Sequence, residues 1–299
     1  MDELRSLARE LVATPSHEDP EAAGNLIESW LRTETTATVE RDDAGNVVAC
    51  RQTDQSDGSR SQGRSLALVG HHDVVPPDDE QLTENGGYVV EERDGRLVGR
   101  GSADMKGAVA AAMLAFRDAE IPAIETGEST PGALVFASFV GEEIGGEGAR
   151  HAIEEGFAPD VAIVGEGSTG YSAPGMTDVA VAHKGRRGST LTARGRAAHA
   201  SEPESGENAV YRACDAVDAV RNLPTPEADV LGHHLAGSVV VTEIEGGSAW
   251  NVIPEECSVT VDERTVPGEY ADLSRVEDVE GVEWTVDQDL LPMPCDDGT

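Results

Sequence analysis

Four short segments carry the side chains of this chain that could do chemistry. They are rich in acidic residues and glycine, and each follows or closes an apolar run typical of a buried strand. Together they supply one imidazole and several carboxylates, a set that can hold two divalent metals close together and leave one carboxylate as a base. The segments are Gly70–Pro76 (GHHDVVP), Gly99–Gly107 (GRGSADMKG), Gly141–Glu143 (GEE) and Gly165–Gly167 (GEG).

His71 and Asp73 stand two residues apart at the end of the apolar run Leu66–Val69. In a strand this spacing points both side chains the same way and His72 the other way. A metal-bound imidazole usually donates its second N–H to a carboxylate or carbonyl, and Asp73 is placed to accept it. A surface histidine beside an aspartate is the alternative interpretation.

Asp104 follows Gly99 and Gly101 and precedes Gly107, glycines that permit a tight turn before an alanine-rich helix. The two oxygens of its carboxylate could bridge two cations. The same position also suits a helix N-cap, for which aspartate is a preferred residue.

Glu142 and Glu143 close the very apolar run Ala133–Val140. Adjacent carboxylates at the end of a buried strand are costly unless a metal or hydrogen-bond donors satisfy them. Because consecutive residues point differently, one could bind a metal while the other takes a proton from water as a general base. Glu166 repeats the pattern after Val161–Val164, and solvated acids at strand exits are the alternative in so acidic a chain.

Alternating helices and strands must position these groups. This alternation predicts an α/β domain whose mostly parallel sheet is flanked by helices, and such sheets bind ligands at the carboxyl ends of their strands. A polar stretch, Gln52 to Gly63, is predicted to be a surface loop. The helical patterns lie at 2–13, 20–32, 107–119 and 147–155, the strand patterns at 36–40, 46–51, 66–69, 133–140 and 161–164, and a hairpin is expected at Asp94-Gly95.

A different order of elements follows Tyr171. Strands at 188–193, 238–245, 257–262 and 282–287 and helices at 208–223 and 270–276 give the order βαββαβ, that of a ferredoxin-like α+β domain. We therefore expect a catalytic domain over residues 1–180, an inserted domain over 181–287, and a return towards the catalytic domain in 288–299.

The composition excludes several classes of function. The chain of 299 residues has 57 acidic and 22 basic side chains and a net charge of −35, so a nucleic-acid partner is not expected. The acid is spread along the whole length, which favours adaptation to high salt over docking of a basic partner. No apolar run is long enough for a membrane span and no signal peptide is evident, so we predict a cytoplasmic protein; its four separated cysteines are expected to be reduced.

The four segments, in this order and spacing, resemble the dinuclear zinc aminoacylases and carboxypeptidases, which include succinyl-diaminopimelate desuccinylase, acetylornithine deacetylase and the glutamate carboxypeptidases. The resemblance runs from Leu4 to Pro267 and extends to three segments of the inserted domain. These are Ala198–Ser201 with Gly206-x-Asn208-Ala209, Gly246–Pro254 and Asp262-x-Arg264.

The resemblance implies a zinc-exopeptidase-like fold with an inserted dimerisation domain, called the lid, and two Zn²⁺ ions for which Co²⁺ or Mn²⁺ could substitute. It also implies a homodimer formed through the lid and a cis peptide bond between Asp104 and Met105. In the site that the resemblance implies, His71 and Glu166 hold one zinc, Glu143 holds the other, and Asp104 bridges them. Asp73 orients His71, and Glu142 is the base. His199 from a partner subunit stabilises the oxyanion, and Asn251 and Arg264 bind the substrate.

The expected reaction is hydrolysis of the amide bond of an N-acyl amino acid. Removal of a C-terminal residue from a short peptide is the alternative within the same family. The family's last metal-binding histidine has no counterpart, because no histidine follows His234. We therefore expect the returning catalytic segment to be absent, which leaves an inactive, dimerising homologue as a third interpretation. A halophilic archaeal source is also expected, since Lys106 and Lys184 are the only lysines.

Overall fold

The structure is a computed structural model that describes residues 2–52, 64–121, 131–167, 173, 175–176 and 178–296. Most of the predicted surface loop before Gly63 lies outside these residues. The chain forms two compact units, Met1–Thr177 and Asp178–Thr299. No helix among the described residues is long and apolar enough to cross a membrane.

In the described residues of the first unit, seven strands and four α-helices lie close to the predicted positions. The strands are β1 (Thr38–Arg41), β2 (Val47–Gln52), β3 (Arg64–His71), β4 (Glu91–Arg93), β5 (Arg96–Val98), β6 (Pro131–Phe139) and β7 (Val161–Val164). The helices are α1 (Asp2–Ala13), α2 (Glu21–Glu34), α3 (Gly107–Asp118) and α4 (Glu147–Glu154).

Five of these strands form one sheet in the order β1-β2-β6-β3-β7. β3 pairs in parallel with β6 on one side and β7 on the other, whereas β2 runs antiparallel to both β1 and β6. The sheet is therefore mixed, where a mostly parallel sheet was expected. The reason is the tight turn after Arg41, which returns β2 directly beside β1 and so makes the pair antiparallel.

Helices cover both faces of this sheet. Leu11, Ile27 and Phe116, from α1, α2 and α3, pack on the face that includes Phe136. The next residue of β6, Ala137, belongs to the opposite face and packs near Ala152 of α4. Successive strand residues point to opposite faces, so a continuous apolar run such as β6 is what a sheet covered on both sides requires.

The second unit has a four-stranded antiparallel sheet in the order β13-β15-β9-β16, with α5 packed on one face. This is the strand order of the ferredoxin-like arrangement. Its elements are β8 (Ala182–His183), β9 (Arg186–Arg194), β10 (Ala198–His199), α5 (Ala209–Arg221), β11 (Glu227–Val230), β12 (His233–Ala236), β13 (Ser238–Gly246), β14 (Val252–Ile253), β15 (Glu256–Arg264), β16 (Val282–Leu290) and β17 (Met293–Pro294).

The last predicted helix differs in type. The segment Leu273–Asp278 is a 3₁₀ helix, where an α-helix over 270–276 was expected. Its two buried residues, Leu273 and Val276, are three positions apart, which matches the three residues per turn of a 3₁₀ helix.

Candidate metal centre

The candidate site forms at the carboxyl ends of three neighbouring parallel strands. β3 ends in His71, and it lies between β6, which leads to Glu142 and Glu143, and β7, which leads to Glu166. The parallel pairing brings the ends of the strands to one edge of the sheet. The imidazole of His71 therefore has carboxylates on both sides.

Asp104 reaches the same edge from an irregular turn, Ser102–Lys106, that precedes α3. The turn is held by buried Met105, which packs in the sheet core, and the Asp104–Met105 peptide bond is cis, as the resemblance predicts. Asp104 does not act as a side-chain cap of α3. The N-cap interpretation is therefore wrong, and its carboxylate is free to face His71.

Distances around His71 Nε2 define the cluster. This atom lies 3.3 Å from Asp104 Oδ1, 3.6 Å from Glu166 Oε1 and 3.9 Å from Glu142 Oε2. Potential ligand atoms of His71, Asp104 and Glu143 all lie within 4.8 Å of one another. One nitrogen and several carboxylate oxygens at such separations form a donor set that suits zinc and similar divalent ions.

Asp73 supports His71 mainly through its backbone. His71 Nδ1 is 3.0 Å from the Asp73 carbonyl oxygen, while Asp73 Oδ1 lies at 3.5 Å. The other carboxylate oxygen accepts the backbone N–H of Glu143 at 3.1 Å, and Glu143 Oε1 accepts the Val75 N–H at 3.2 Å. Asp73 thus fixes both the imidazole and the segment that carries Glu143.

Electrostatics distinguish His71 from His72. Burial lowers the pKa of His71, but the hydrogen bond to Asp73 and the negative charges of Asp73, Glu142 and Glu166 outweigh it and raise the pKa to about 9. His72 is fully buried and bonds to Ser138 Oγ at 2.9 Å, and burial lowers its pKa to about 3. His72 is therefore neutral and contacts β6 instead of the carboxylates.

The carboxylates have pKa values shifted in opposite directions. Burial, with the neighbouring carboxylates, raises the pKa of Glu142, Glu143 and Glu166, and His71 partly offsets this effect. Burial would also raise the pKa of Asp73, but its bonds to His71 and to backbone N–H groups lower it. Neighbouring acids with raised pKa values are common at functional sites.

Among the predicted residues of the second unit, His199 and Asn251 lie at one small two-stranded element and Arg264 lies at the end of β15. His199 on β10 pairs with Val252 on β14, and the Ala200 N–H donates to the Asn251 carbonyl at 2.9 Å. His199 is exposed, with Nδ1 2.6 Å from Ser201 Oγ. His199 on β10 and Asn251, in the turn just before β14, thus lie close together along the backbone.

Arg264 lies elsewhere in that unit, at the end of β15. Its Nε donates to Asp262 Oδ1 at 2.8 Å, and Arg186 Nε donates to the second oxygen of the same carboxylate at 2.6 Å. The guanidinium is exposed and keeps N–H donors that could bind a further carboxylate.

Two buried residues beside the candidate site, Lys106 and Asn46, were not predicted from the sequence to have a role there. Lys106 is fully buried and donates to the Thr14 carbonyl at 2.6 Å, which ties the turn carrying Asp104 to the end of α1. Asn46 is fully buried next to the segment that carries Glu142. The scarcity of lysine could have drawn attention to Lys106, whereas nothing in the local sequence distinguishes Asn46 from an ordinary turn residue.

Comparison with known proteins gives consistent results. The model of peptidase family M20/M25/M40 matches residues 67–296. An acetylornithine deacetylase from Proteus mirabilis (strain HI4320) is 31% identical over 283 residues, which cover 88% of this chain and 67% of that enzyme. Two further acetylornithine deacetylases, from Myxococcus xanthus and Klebsiella pneumoniae (strain 342), are 33% and 30% identical, and the chain covers 56% and 67% of their lengths.

Solved structures share the fold at low sequence identity. The aminopeptidase PepT from Bacillus cereus superimposes with a TM-score of 0.71 at 19% identity, over 100% of this chain and 78% of the other. A dinuclear metal-binding peptidase of the M20 family from Bacillus subtilis gives a TM-score of 0.60 at 18% identity, over 98% and 74%.

Proposed function

This chain belongs to peptidase family M20/M25/M40, and we propose that it hydrolyses the amide bond of an N-acyl amino acid in a metal-dependent reaction. The observation that carries the proposal is the position of His71. A buried imidazole supported on Nδ1 by Asp73 has its Nε2 within 4 Å of the carboxylates of Asp104, Glu142 and Glu166. A structural ion-pair network would not need several carboxylates around one imidazole nitrogen whose orientation is fixed, whereas a metal site does.

The donors present suit divalent ions, because potential ligand atoms of His71, Asp104 and Glu143 lie within 4.8 Å of one another and Glu166 Oε1 lies 3.6 Å from His71 Nε2. We propose that His71 and Glu166 would hold one ion, that Glu143 would hold a second, and that Asp104 would serve both. Zinc is the expected metal, because imidazole and carboxylate oxygens are among its usual ligands, and cobalt or manganese could replace it. When bound, the ions would lower the pKa of water and polarise the amide carbonyl.

The remaining acid-base chemistry falls to Glu142. It lies beside the ligands with half of its side chain exposed, so it can reach both water and a substrate. In the proposed reaction its carboxylate accepts a proton from the attacking water and then transfers it to the leaving amine. Burial, with the neighbouring carboxylates, raises the pKa of Glu142 above its usual range in the metal-free protein.

Residues of the second unit are proposed to bind the substrate. His199, supplied by a second copy of the chain in a lid-mediated homodimer, would donate to the oxyanion, and Asn251 would contact the substrate beside it. Arg264 would bind the substrate carboxylate with the donors that Asp262 leaves free. The adjacent positions of His199 and Asn251 support a shared role for these two residues.

The test is hydrolysis of a panel of N-acyl amino acids and short peptides by the full chain, with zinc or cobalt added and in low and high salt. The matched variant is Glu142→Gln, which retains the shape of the side chain and removes the base. We expect N-acyl amino acids to be hydrolysed and the variant to lose at least about a hundredfold in kcat, while it still binds metal.

The outcomes separate the interpretations. Preferential cleavage of peptides would replace the deacylase by a metallo-exopeptidase, for which the same metal ligands would serve. Absence of turnover would favour an inactive dimerising homologue. Equal turnover by the wild type and the Glu142→Gln variant would reject Glu142 as the catalytic base.

A further inference from the structure

We propose that Asn46 is a positioning residue for the catalytic loop, defined here as residues 140–148, which carries Glu142 and Glu143. The proposal rests on the function proposed above, because that function gives these two glutamates their roles. Asn46 lies just before β2, far from the loop in sequence, and its side chain is fully buried. A buried amide must find partners for all its polar atoms, so its contacts are informative.

The Asn46 side chain bonds to both ends of the catalytic loop. Its Oδ1 accepts the Val140 N–H at 3.0 Å, and its Nδ2 donates to the Gly148 carbonyl at 2.8 Å. The Gly148 N–H in turn donates to the Val140 carbonyl at 3.0 Å. One side-chain amide and one backbone bond therefore close the neck of the loop, and the glutamates project from the part between.

The place of Asn46 in the sheet explains this geometry. The antiparallel ladder between β2 and β6 ends at the pair Val47 and Ser138. Beyond that pair the β6 chain turns away towards Gly141, whose φ is +66°, and the Val140 N–H would lose its partner. The Asn46 amide takes the place of the next peptide group and satisfies it.

Asn46 is itself fixed from the other side by Asp42. Asp42 Oδ2 accepts the second Nδ2 hydrogen of Asn46 at 2.6 Å, while Asp42 Oδ1 accepts the Asn46 backbone N–H at 2.9 Å. Both donors of the amide are then used. The Asn46 side chain has one orientation that meets all these bonds, with oxygen towards Val140 and nitrogen towards Gly148 and Asp42.

Glycine at position 148 makes the approach possible. A Cβ atom there would lie 2.3 Å from Asn46 Oδ1 and 2.5 Å from the Val140 carbonyl oxygen. No side chain fits in this space, so the loop neck is closed as tightly as the backbone permits. Within the loop, the Glu147 N–H donates to the Gly141 carbonyl and the Gly146 N–H to the same oxygen at 2.8 Å.

The consequence concerns the geometry of the metal site. The Glu143 N–H donates to the Asp73 carboxylate, and the Glu143 carboxylate accepts the Val75 N–H. A shift of the loop neck would strain these bonds and move the Glu143 carboxylate relative to His71. Loss of a residue that orients a metal ligand typically lowers metal affinity by about 10- to 100-fold. A residue that merely stabilised the fold would lower the melting temperature and leave the affinity of the folded protein unchanged.

The test compares three variants of the full chain. Asn46→Ala removes all side-chain bonds at the neck. The double substitution Asp42→Asn/Asn46→Asp keeps a bond between these two positions and the acceptor for Val140, and replaces the donor to Gly148 by a carboxylate oxygen that repels the Gly148 carbonyl. It retains the side-chain volume and is the second variant if Asn46→Ala does not fold. Asp160→Ala is the matched control, because it removes two hydrogen bonds to Ser65 at the opposite end of β3.

Two readouts are measured on each variant: the affinity for Co²⁺ with its visible absorption spectrum, and amide hydrogen exchange of residues 146–148. We expect both Asn46 variants to bind Co²⁺ about 10- to 100-fold more weakly with an altered spectrum and to exchange these amides faster, while Asp160→Ala changes neither. Wild-type affinity and spectrum in a folded Asn46 variant would overturn the proposal.

Failure of the proposed function gives a different result. If the wild type binds no Co²⁺, the metal-dependent function fails, and hydrogen exchange alone then decides the role of Asn46. Faster exchange of residues 146–148 in the Asn46→Ala variant, with slow exchange kept in Asp160→Ala, would support its control of the loop. Equal exchange in the wild type and the Asn46→Ala variant would contradict it.

Discussion

At the scale of single residues, we expect the protonation of His71 to control metal uptake by the proposed site. Its pKa of about 9 means that the imidazole of the metal-free protein carries a proton at neutral pH, held by the surrounding carboxylates. A metal ligand must be neutral on the coordinating nitrogen, so binding must displace this proton. The proton and the metal therefore compete for Nε2.

We predict that metal affinity rises by about tenfold for each pH unit between pH 6 and 8.5, where one proton is released per site. Zinc titrations by calorimetry, in buffers with different ionisation enthalpies, would count the protons released. Affinity independent of pH over this range, with no proton release, would show that His71 is not a ligand.

His72 predicts a separate dependence of stability on pH. Its pKa is about 3 in the folded protein against 6.5 for the free side chain, so between these values the unfolded chain binds a proton that the folded chain does not. Stability therefore falls as the pH drops below 6.5, by about 2 kcal/mol at pH 5 from this residue alone. We expect the His72→Asn variant to show a shallower decrease in unfolding free energy from pH 7 to 5, measured by urea denaturation in EDTA. Parallel curves for the two proteins would be inconsistent with a neutral buried His72.

At the scale of elements, the turn before α3 has to bring Asp104 to His71. Gly101 in this turn has φ +76°, and a Cβ atom added there would lie 2.6 Å from Val74 Cγ1. Gly95, in the β4–β5 hairpin, has nearly the same φ of +75°, but no heavy atom of the described residues lies within 4 Å of the corresponding Cβ position. A substitution at Gly95 therefore measures the cost of backbone strain alone, and one at Gly101 measures that cost together with the cost of crowding against Val74.

We predict that Gly101→Ala costs about 3 kcal/mol and weakens metal binding, whereas Gly95→Ala costs about 1 kcal/mol and leaves metal binding unchanged. The first loss includes crowding against Val74 as well as the left-handed backbone. Urea denaturation and zinc titration of both variants provide the measurements. Equal losses of stability in the two variants would mean that crowding against Val74 adds no cost at Gly101.

Element positions show how far sequence reasoning reaches. The bounds of β7 agree with the predicted strand Val161–Val164, because a continuous apolar run between polar turns has few other solutions. The hairpin of β11 and β12 was not predicted, since the sequence Glu227–Ala236 mixes charged and polar residues without a period of two. This hairpin forms through the backbone hydrogen bonds between β11 and β12, and the residue types of the segment do not indicate that pairing.

Some features of the candidate site could be predicted from the sequence and others could not. The proximity of His71, Asp104, Glu143 and Glu166 could be predicted, because each stands after a recognisable apolar strand or in a glycine turn, whereas their role as metal ligands stays a proposal. The Asn46 contacts could not, because they join residues about a hundred positions apart through the register of β2 on β6. The role of the Asp73 carbonyl also depends on local backbone direction, which side-chain spacing does not determine.

At the scale of the whole molecule, the net charge of −35 is the dominant feature. Repulsion among so many like charges destabilises the compact state, and salt screens it over about 10 Å at 0.1 M and about 3 Å at 1 M. We predict that the urea midpoint of unfolding rises markedly between 0.1 and 2 M KCl. A neutral osmolyte at equal osmolality is the control. A midpoint that stays constant or falls with KCl would argue against adaptation to high salt.

The central claim is that His71, Asp104, Glu143 and Glu166 form a divalent metal centre. Zinc bound per chain after equilibrium dialysis, measured by elemental analysis for the wild type and the Asp104→Ala variant, tests it most directly. The account predicts stoichiometric zinc in the wild type and a large loss in the variant, because the proposed bridging carboxylate serves both ions. Wild-type protein without zinc, or a variant that retains the wild-type amount, would contradict it.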